Sequence, residues 1–253
     1  MIALRSGYIT GMEQINQLQA LIDHSNNIVF LGGAGVSTES GIRDFRGKNG
    51  LYTIRDATRK GVTPEYLLSN TCLYFDTELF LENYRKNLNC TDAQPNVTHL
   101  YLKKLEDAGK LKAVVTQNID GLHQKAGSRS VYEIHGTIWK NYCRECKKEY
   151  PSAYLFETEG VPRCACGGLI RPDVVLYGEM LPESYYEAAD QIAQAEVLLV
   201  AGTSLQVSTV AALVDEYTGK HLVILNDMPT PYDSRAELVI RKPLGEVFSA
   251  LRV

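Results

Sequence analysis

The sequence predicts an α/β fold, a doubly wound parallel sheet interrupted by two inserts, and three observations lead there. Short apolar runs alternate with amphipathic helical segments, a pattern that calls for a parallel sheet covered on both faces. Several of these runs stop at clusters of glycine, amide or small polar residues, where strands of such a sheet present their carboxyl ends to ligands. Two stretches, about 48–90 and 137–171, break the alternation. At 253 residues, 45% hydrophobic and 22% charged, the chain can bury a sizeable core and carry both inserts.

Met12 to Ser25 opens the fold as a helix, with Met12, Ile15, Leu18, Leu21 and Ile22 at helical spacing. The strand Ile28–Leu31 then runs into Gly32-Gly33-Ala34-Gly35, a turn where backbone can approach a pyrophosphate with no Cβ in the way. Alone, this turn is a weak dinucleotide signal. Thr38 stands where the usual fingerprint has its third glycine, and no acid follows at a clear strand end about twenty positions on. The glycines would serve equally well in the packing of a strand-to-helix turn. Just beyond, Arg43-Asp44-Phe45-Arg46 gathers an acid, an aromatic ring and two cations, which is more chemistry than a phosphate turn needs.

Lys48 to Val62 is polar and glycine-punctuated, so it reads as a long loop or lid. Thr63-Pro64 is a helix start, and helical segments rich in Tyr, Phe and Leu continue to about Asn89. Asn96–Ala108 forms a further helix, ended by Gly109. Lys112–Thr116 and Val131–Ile134 are short buried strands. Beyond the second insert come strand Val174–Tyr177, helix Glu183–Ala195, strand Val197–Ala201, helix Thr209–Tyr217, strand His221–Leu225 and a last helix, Pro243–Leu251.

Of six cysteines, Cys72 and Cys90 are isolated and read as buried, inert thiols. Cys143 and Cys146 form one close pair, Cys164 and Cys166 another, with 17 residues between the pairs. Four soft thiolates favour zinc in a closed tetrahedral site, hence a structural ion that supplies the folding energy a short insert lacks. A redox pair would leave two of the four cysteines unexplained.

The net charge of −4 argues against a nucleic-acid partner and gives weak support to a cationic peptide substrate. No apolar run approaches a membrane span, and Met1–Gly11 lacks the apolar core of a secretion signal, so the expected location is cytoplasmic and no membrane partner is expected.

Four segments at strand ends carry candidate chemistry. Thr116-Gln117-Asn118-Ile119-Asp120 offers two amides and an acid, suited to sugar hydroxyls and a carboxamide. His135, at a strand end before Gly136, is a candidate general base near neutral pH. Gly202-Thr203-Ser204-Leu205 is a small-residue turn fit for phosphate or ribose, and Asn226-Asp227 repeats the pattern.

Taken in order, Gly33-Ala34-Gly35-Val36-Ser37 through Asp44-Phe45-Arg46-Gly47, Thr116-Gln117-Asn118-Ile119-Asp120, His135-Gly136, the four cysteines, Gly202-Thr203-Ser204 and Asn226 resemble the sirtuin family over about residues 28–230. The resemblance implies a Rossmann-like NAD-binding domain built from 1–47, 91–136 and 172–253, and a small domain. The small domain would combine a helical insert with a cofactor loop at 48–90 and a zinc ribbon at 137–171.

The activity implied is NAD-dependent deacylation of protein lysines, giving nicotinamide, O-acyl-ADP-ribose and free lysine. In that chemistry the acyl oxygen attacks C1′ of the nicotinamide ribose, a histidine (here His135) is base for the ribose hydroxyls, and the 2′-hydroxyl then attacks the imidate. Matching positions assign Asn118 to ribose and water, and Asp120 with Ile119 to the carboxamide. Phe45 would shield the ribose from water, and Arg46 and Thr38 would reach phosphates. Gly33, Ala34, Gly35, Ser37, Asp44, Gln117, Gly202, Thr203, Ser204, Asn226 and Asp227 complete the expected cofactor surface. Val175, Leu176, Tyr177 and Gly178 resemble the segment on which such enzymes pair an acyl-lysine protein or peptide.

Relatives that prefer acidic acyl groups carry a tyrosine and an arginine three apart; here Tyr84 and Arg85 are adjacent and Glu82 holds the third position, so a neutral acyl group is expected. Gln206-Val207-Ser208 also lacks the tyrosine-proline common after the small-residue turn. Two other readings compete: a mono-ADP-ribosyltransferase or NAD glycohydrolase on the same scaffold, and a non-catalytic zinc module that binds nucleic acid. The second needs a basic face, which Glu145 and Glu149 weaken beside Arg144, Lys147 and Lys148.

Overall fold

The computed structural model describes residues 10–47, 50–52 and 62–253. Most of the loop expected at 48–62, and the segment before Thr10, lie outside the described residues.

Local chemistry sets the element boundaries. Helix α1 (Gly11–His24) starts at Thr10, whose hydroxyl accepts from Glu13 N while the Glu13 carboxylate accepts from Thr10 N, a reciprocal cap. Strand β1 (Ile28–Gly32) is fully buried and leads into a 3-10 turn, Ala34–Ser40. Three helices follow, each begun at a polar residue: α2 (Pro64–Leu67) after Thr63, α3 (Asn70–Phe75) after Ser69, and α4 (Thr77–Asn87) after Asp76. Asn96 caps α5 (Val97–Asp107), which precedes β2 (Leu111–Thr116), the short α6 (Leu122–Lys125) and β3 (Val131–Glu133). The second insert holds β4 (Gly136–Cys143), β5 (Glu149–Pro151), α7 (Ser152–Glu157) and β6 (Ile170–Val174). The chain ends with α8 (Glu183–Ala193), β7 (Val197–Ala201), α9 (Ser208–Asp215), β8 (His221–Leu225), β9 (Leu238–Ile240) and α10 (Leu244–Ser249).

Six parallel strands stand in the order β3-β2-β1-β7-β8-β9. Alternation along β1 divides the core between the two faces. Ile28 and Phe30 pack with Leu18, Leu102 and Phe248 of α1, α5 and α10, while Val29 and Leu31 join the cluster containing Ile192 of α8 and Leu213 of α9. A second, three-stranded antiparallel sheet runs β5-β4-β6. Phe80, Leu81 and Tyr84 of α4 share a third core with Ile138, Leu155 and Ile170, so the helical insert and the cysteine segment bury their apolar faces against each other.

One strand falls elsewhere than expected. The apolar run from Val174 reads as a core strand of the parallel sheet, but β6 ends at Val174 and belongs to the small sheet. Residues 175–178 lie beyond it, ending in a turn at Gly178 (φ +88°), and their main-chain groups bond to loops and to the side chains of Glu179 and Asn70, a distinction that periodicity does not carry.

The turns after β1 and β7 meet backbone to backbone. Gly35 N donates to Gly202 O at 2.8 Å, and Gly202 holds φ +60°. A Cβ on Gly202 would stand 2.6 Å from Val36 N, so both steric crowding and a left-handed conformation demand glycine. Gly109 (φ +74°) has the conformation without the crowding. Gly109→Ala should cost about 1–2 kcal/mol in equilibrium unfolding, the penalty of a left-handed alanine. Gly202→Ala should cost clearly more; equal losses would contradict the contact.

Candidate active site

The chain runs from β1 outward through β2 to β3, and later returns to β7 on the other side of β1. Connections leave β1 and β7 in opposite directions, which opens a crevice at their carboxyl ends. The turns following β1, β2, β3 and β7 gather there because the sheet register puts Gly32, Thr116 and Ala201 side by side. The space a Cβ at Gly33 or Gly35 would take is filled by Gly202 and Thr203, so these glycines first of all let the two turns touch.

Gln117 joins the turns. Its Nε2 donates to Thr203 Oγ1 at 2.9 Å and its main-chain N to Gly32 O at 3.0 Å. Next to it, Asn118 Nδ2 donates to Ser37 Oγ at 3.0 Å, and Ser37 donates to Asp120 Oδ2 at 2.6 Å. Asp120 Oδ1 accepts from Leu122 N at 2.9 Å, and its carbonyl accepts from the Trp139 indole at 2.7 Å. Burial raises the Asp120 carboxyl above its usual range, and these hydrogen bonds oppose the rise in part. Its two oxygens retain further acceptor capacity. Among the described residues Asn118 Oδ1 has no protein partner, so it remains an acceptor for a ligand.

His135 sits directly after β3 and Ile134. Its Nδ1 lies 3.2 Å from Gln117 O. A carbonyl only accepts, so Nδ1 carries the proton and Nε2 keeps a free lone pair. Burial lowers the imidazole pKa below its ordinary value, with the Gln117 bond working the other way. The ring is therefore a neutral base at physiological pH. Sequence reasoning placed His135, Gln117, Asn118, Asp120 and Ser37 together, and the structure brings them together.

The His135 carbonyl accepts from Val175 N at 2.9 Å, which ties the 175–178 segment to the site. Tyr177 N donates to Leu68 O, and Tyr177 O accepts from Asn70 N. Leu176 N donates to Glu179, and Asn70 Nδ2 donates to Gly178 O. Leu176 O accepts from Glu179 N, so among the described residues Val175 O and Gly178 N are the main-chain groups of this segment without a hydrogen-bond partner. The support beneath was not foreseen in the sequence. Arg171, 5% exposed, pairs with Glu179 through both terminal guanidinium nitrogens, while Nη2 also donates to Val174 O and Nε to Pro172 O.

Ahead of the crevice, Gly47 N donates to the Asp44 carboxylate, and Leu51 N and Tyr52 N donate back to Asp44 O and Phe45 O. The Tyr52 ring meets Phe45 edge-on, with centroids 5.4 Å apart, and the Arg46 guanidinium lies over it at 5.2 Å. Sequence reading missed Tyr52, since nothing in the pattern marks it. Thr38 is exposed and bonds to Gly35 O. Asn226 is turned toward its own loop, donating to Met228 O, and Asp227 is exposed.

The four cysteine sulfurs all lie within 4.8 Å of one another, with Cys143–Cys166 at 3.5 Å and Cys146–Cys164 at 3.6 Å. A zinc ion with bonds of about 2.3 Å sets tetrahedral sulfurs roughly 3.8 Å apart, so the set fits a closed structural zinc site. Cys72 is buried as expected, whereas Cys90 is half-buried; burial pushes Cys72 up to about 11 and Cys90 up to about 12, which disfavours the thiolate in both. Tyr84 is stacked between Phe80 and Phe156, and Arg85 donates to Leu155 O and Gly160 O, so both side chains join the insert to the ribbon.

Arg171→Met strands the Glu179 carboxylate and should cost about 3–5 kcal/mol in denaturant unfolding. Arg129→Met, at an exposed pair with Glu106 and Asp107, should cost under about 1 kcal/mol. Similar losses for the two would refute the supporting role of Arg171.

With this geometry in view, comparisons place the chain. The Sir2 family pattern matches residues 33–209. An NAD-dependent protein deacetylase of Clostridium perfringens (strain 13 / Type A) is 48% identical over 238 residues, covering 93% of this chain and 97% of the relative. Its counterpart in Clostridium acetobutylicum is 46% identical, covering 95% and 98%. Among solved structures, Sir2 with a deacetylated p53 peptide and 3′-O-acetyl ADP ribose aligns with a TM-score of 0.86 at 36% identity, covering 93% of this chain and 96% of that one. Sir2 with a p53 peptide and NAD+ aligns at 0.82, also at 36% identity and covering 93% and 95%. The chain belongs to the Sir2 family.

Proposed function

We propose that this protein is an NAD-dependent protein-lysine deacylase that yields nicotinamide, O-acyl-ADP-ribose and free lysine, with a structural zinc ion in its small lobe. One observation carries the reading: His135, its Nδ1 3.2 Å from Gln117 O, follows β3 beside the strand end that carries the Asn118–Ser37–Asp120 hydrogen-bond network, at the switch point of the sheet. Bound NAD supplies the ribose carbon at which the acyl oxygen adds and from which nicotinamide departs.

The roles of the chain's own groups follow from their chemistry. His135 Nε2 takes a proton from a ribose hydroxyl. Asn118 Oδ1 accepts from ribose or water, and Asp120 with Ile119 holds the carboxamide. Gly33, Ala34, Gly35, Thr38, Arg46, Gly202, Thr203 and Ser204 receive the phosphates and the remaining ribose. Phe45 keeps water away from the reacting carbon. Val175 O and Gly178 N pair with an acyl-lysine peptide through its backbone, which suits many sequences.

The acyl group in this proposal is acetyl or a longer neutral chain, supported by the engagement of the Tyr84 ring and the Arg85 guanidinium with the ribbon. Among the described residues no helix is long and apolar enough to cross a membrane. A cytoplasmic setting is supported by the sulfur geometry, which suits metal-bound thiolates of a reducing compartment.

Incubation of an acetyl-lysine peptide with NAD should give free lysine, nicotinamide and O-acetyl-ADP-ribose in equal amounts by mass spectrometry. ADP-ribosylated protein with the acetyl group intact would overturn the reading. His135→Ala should lower turnover by roughly 100- to 10,000-fold, the range of a general base, with zinc content unchanged. Because burial lowers the His135 pKa, the basic form persists below the ordinary histidine value near 6.5. The acid limb of kcat/KM should therefore lie below pH 6.5; a limb at pH 7 or above would contradict it.

A further inference from the structure

Tyr52 and Tyr177 come from segments 125 positions apart, and their hydroxyl oxygens lie 3.4 Å from each other. This distance is long for a hydrogen bond between hydroxyls, and either oxygen can be the donor. Each ring has a firm base. The main chain of Tyr177 is clamped on both sides, by Leu68 O and by Asn70 N, and the Arg171–Glu179 pair braces the segment from below. Tyr52 is bonded through its N–H to Phe45 O at 2.9 Å, and its ring touches Phe45 and lies beneath Arg46. The two tyrosines thus link the segment proposed to pair with peptide to the two side chains proposed to guard the ribose and reach the phosphates. Burial and the neighbouring phenol keep the Tyr52 hydroxyl protonated well above the ordinary tyrosine range, so it stays a donor throughout the working pH range.

We propose that Tyr52 and Tyr177 are a positioning pair which keeps Phe45 seated against water and so suppresses wasteful cleavage of NAD when no acyl peptide is bound. The inference rests on the deacylase reading for its purpose, but the contact makes its own prediction. The reaction suppressed is hydrolysis: water oxygen bonds to the ribose carbon, the carbon–nitrogen bond breaks with its electrons going to nicotinamide, and the water proton goes to solvent. Neither hydroxyl takes part in that step. Each acts through Phe45.

The test uses the full-length protein, NAD and no peptide, with Tyr52→Phe, Tyr177→Phe and the double variant. Each keeps its ring and loses one hydroxyl. ADP-ribose formation should rise roughly two- to tenfold in either single variant, the factor that one hydrogen bond is worth. The double variant should rise no further than the singles, because either change breaks the same contact. With acetyl-lysine peptide present, the ratio of nicotinamide to free lysine should rise above that of the wild type in the same three variants. Unchanged hydrolysis in all three, or effects that multiply in the double variant, would overturn the proposal. Failure of the deacylase reading would show separately, as absence of free lysine from the wild-type protein, and the peptide-free comparison would still decide the role of the pair.

Discussion

Gln117 follows β2 at the point where the two halves of the parallel sheet meet, and it bonds in three directions. Its N–H holds Gly32 at the end of β1, its carboxamide holds Thr203 beyond β7, and its carbonyl holds the Nδ1 proton of His135. The last of these bonds decides the chemistry, since it fixes which nitrogen of the imidazole can act as a base. The other two decide whether the carbonyl is in place to do so. His135 in turn passes the order outward, because its own carbonyl receives Val175 N and so sets the start of the 175–178 segment.

Three levels of structure converge on that residue. Parallel pairing of β1 with β2 and β7 brings three strand ends level. Glycines at 33, 35 and 202 let two turns approach until their backbones touch. Polar groups then fill the junction, with Ser37 and Asp120 buried and Asn118 half-buried: Ser37 donates to Asp120, Asn118 to Ser37, and the amide of Leu122 to Asp120. Linked hydrogen bonds of this kind help to keep a single geometry. The small lobe adds a second anchor, with the zinc-binding thiolates and the shared core of α4 and the ribbon supporting the far side of the crevice.

The readable parts of the sequence were those where chemistry and local pattern coincide. The β1 and β7 runs are apolar throughout, as is β8 after His221, and they end at small or amide residues, so strands and the turns that follow them can be identified together. The four cysteines announce their site by residue type alone. Harder to see was the small sheet, whose strand β4 is half polar and shows little periodicity, because its apolar residues pack against α4, far away in the sequence. The short edge strand β9 was missed for a similar reason, having only three residues. Arg171, Glu179 and Tyr52 escaped because their importance lies in partners distant along the chain, and no local spacing encodes that. The glycine turn illustrates a subtler gap: its residues were right, while their first physical task, contact with the opposite turn, became visible only in three dimensions.

The protonation state of one ring is the point on which this account turns. A 15N NMR spectrum of protein labelled in its histidine side chains, with His135 assigned by comparison to His135→Gln, reads that state directly. At pH 7 the account predicts a neutral ring with the proton on Nδ1 and a bare Nε2. An imidazolium at pH 7, or a neutral ring protonated on Nε2, would contradict it.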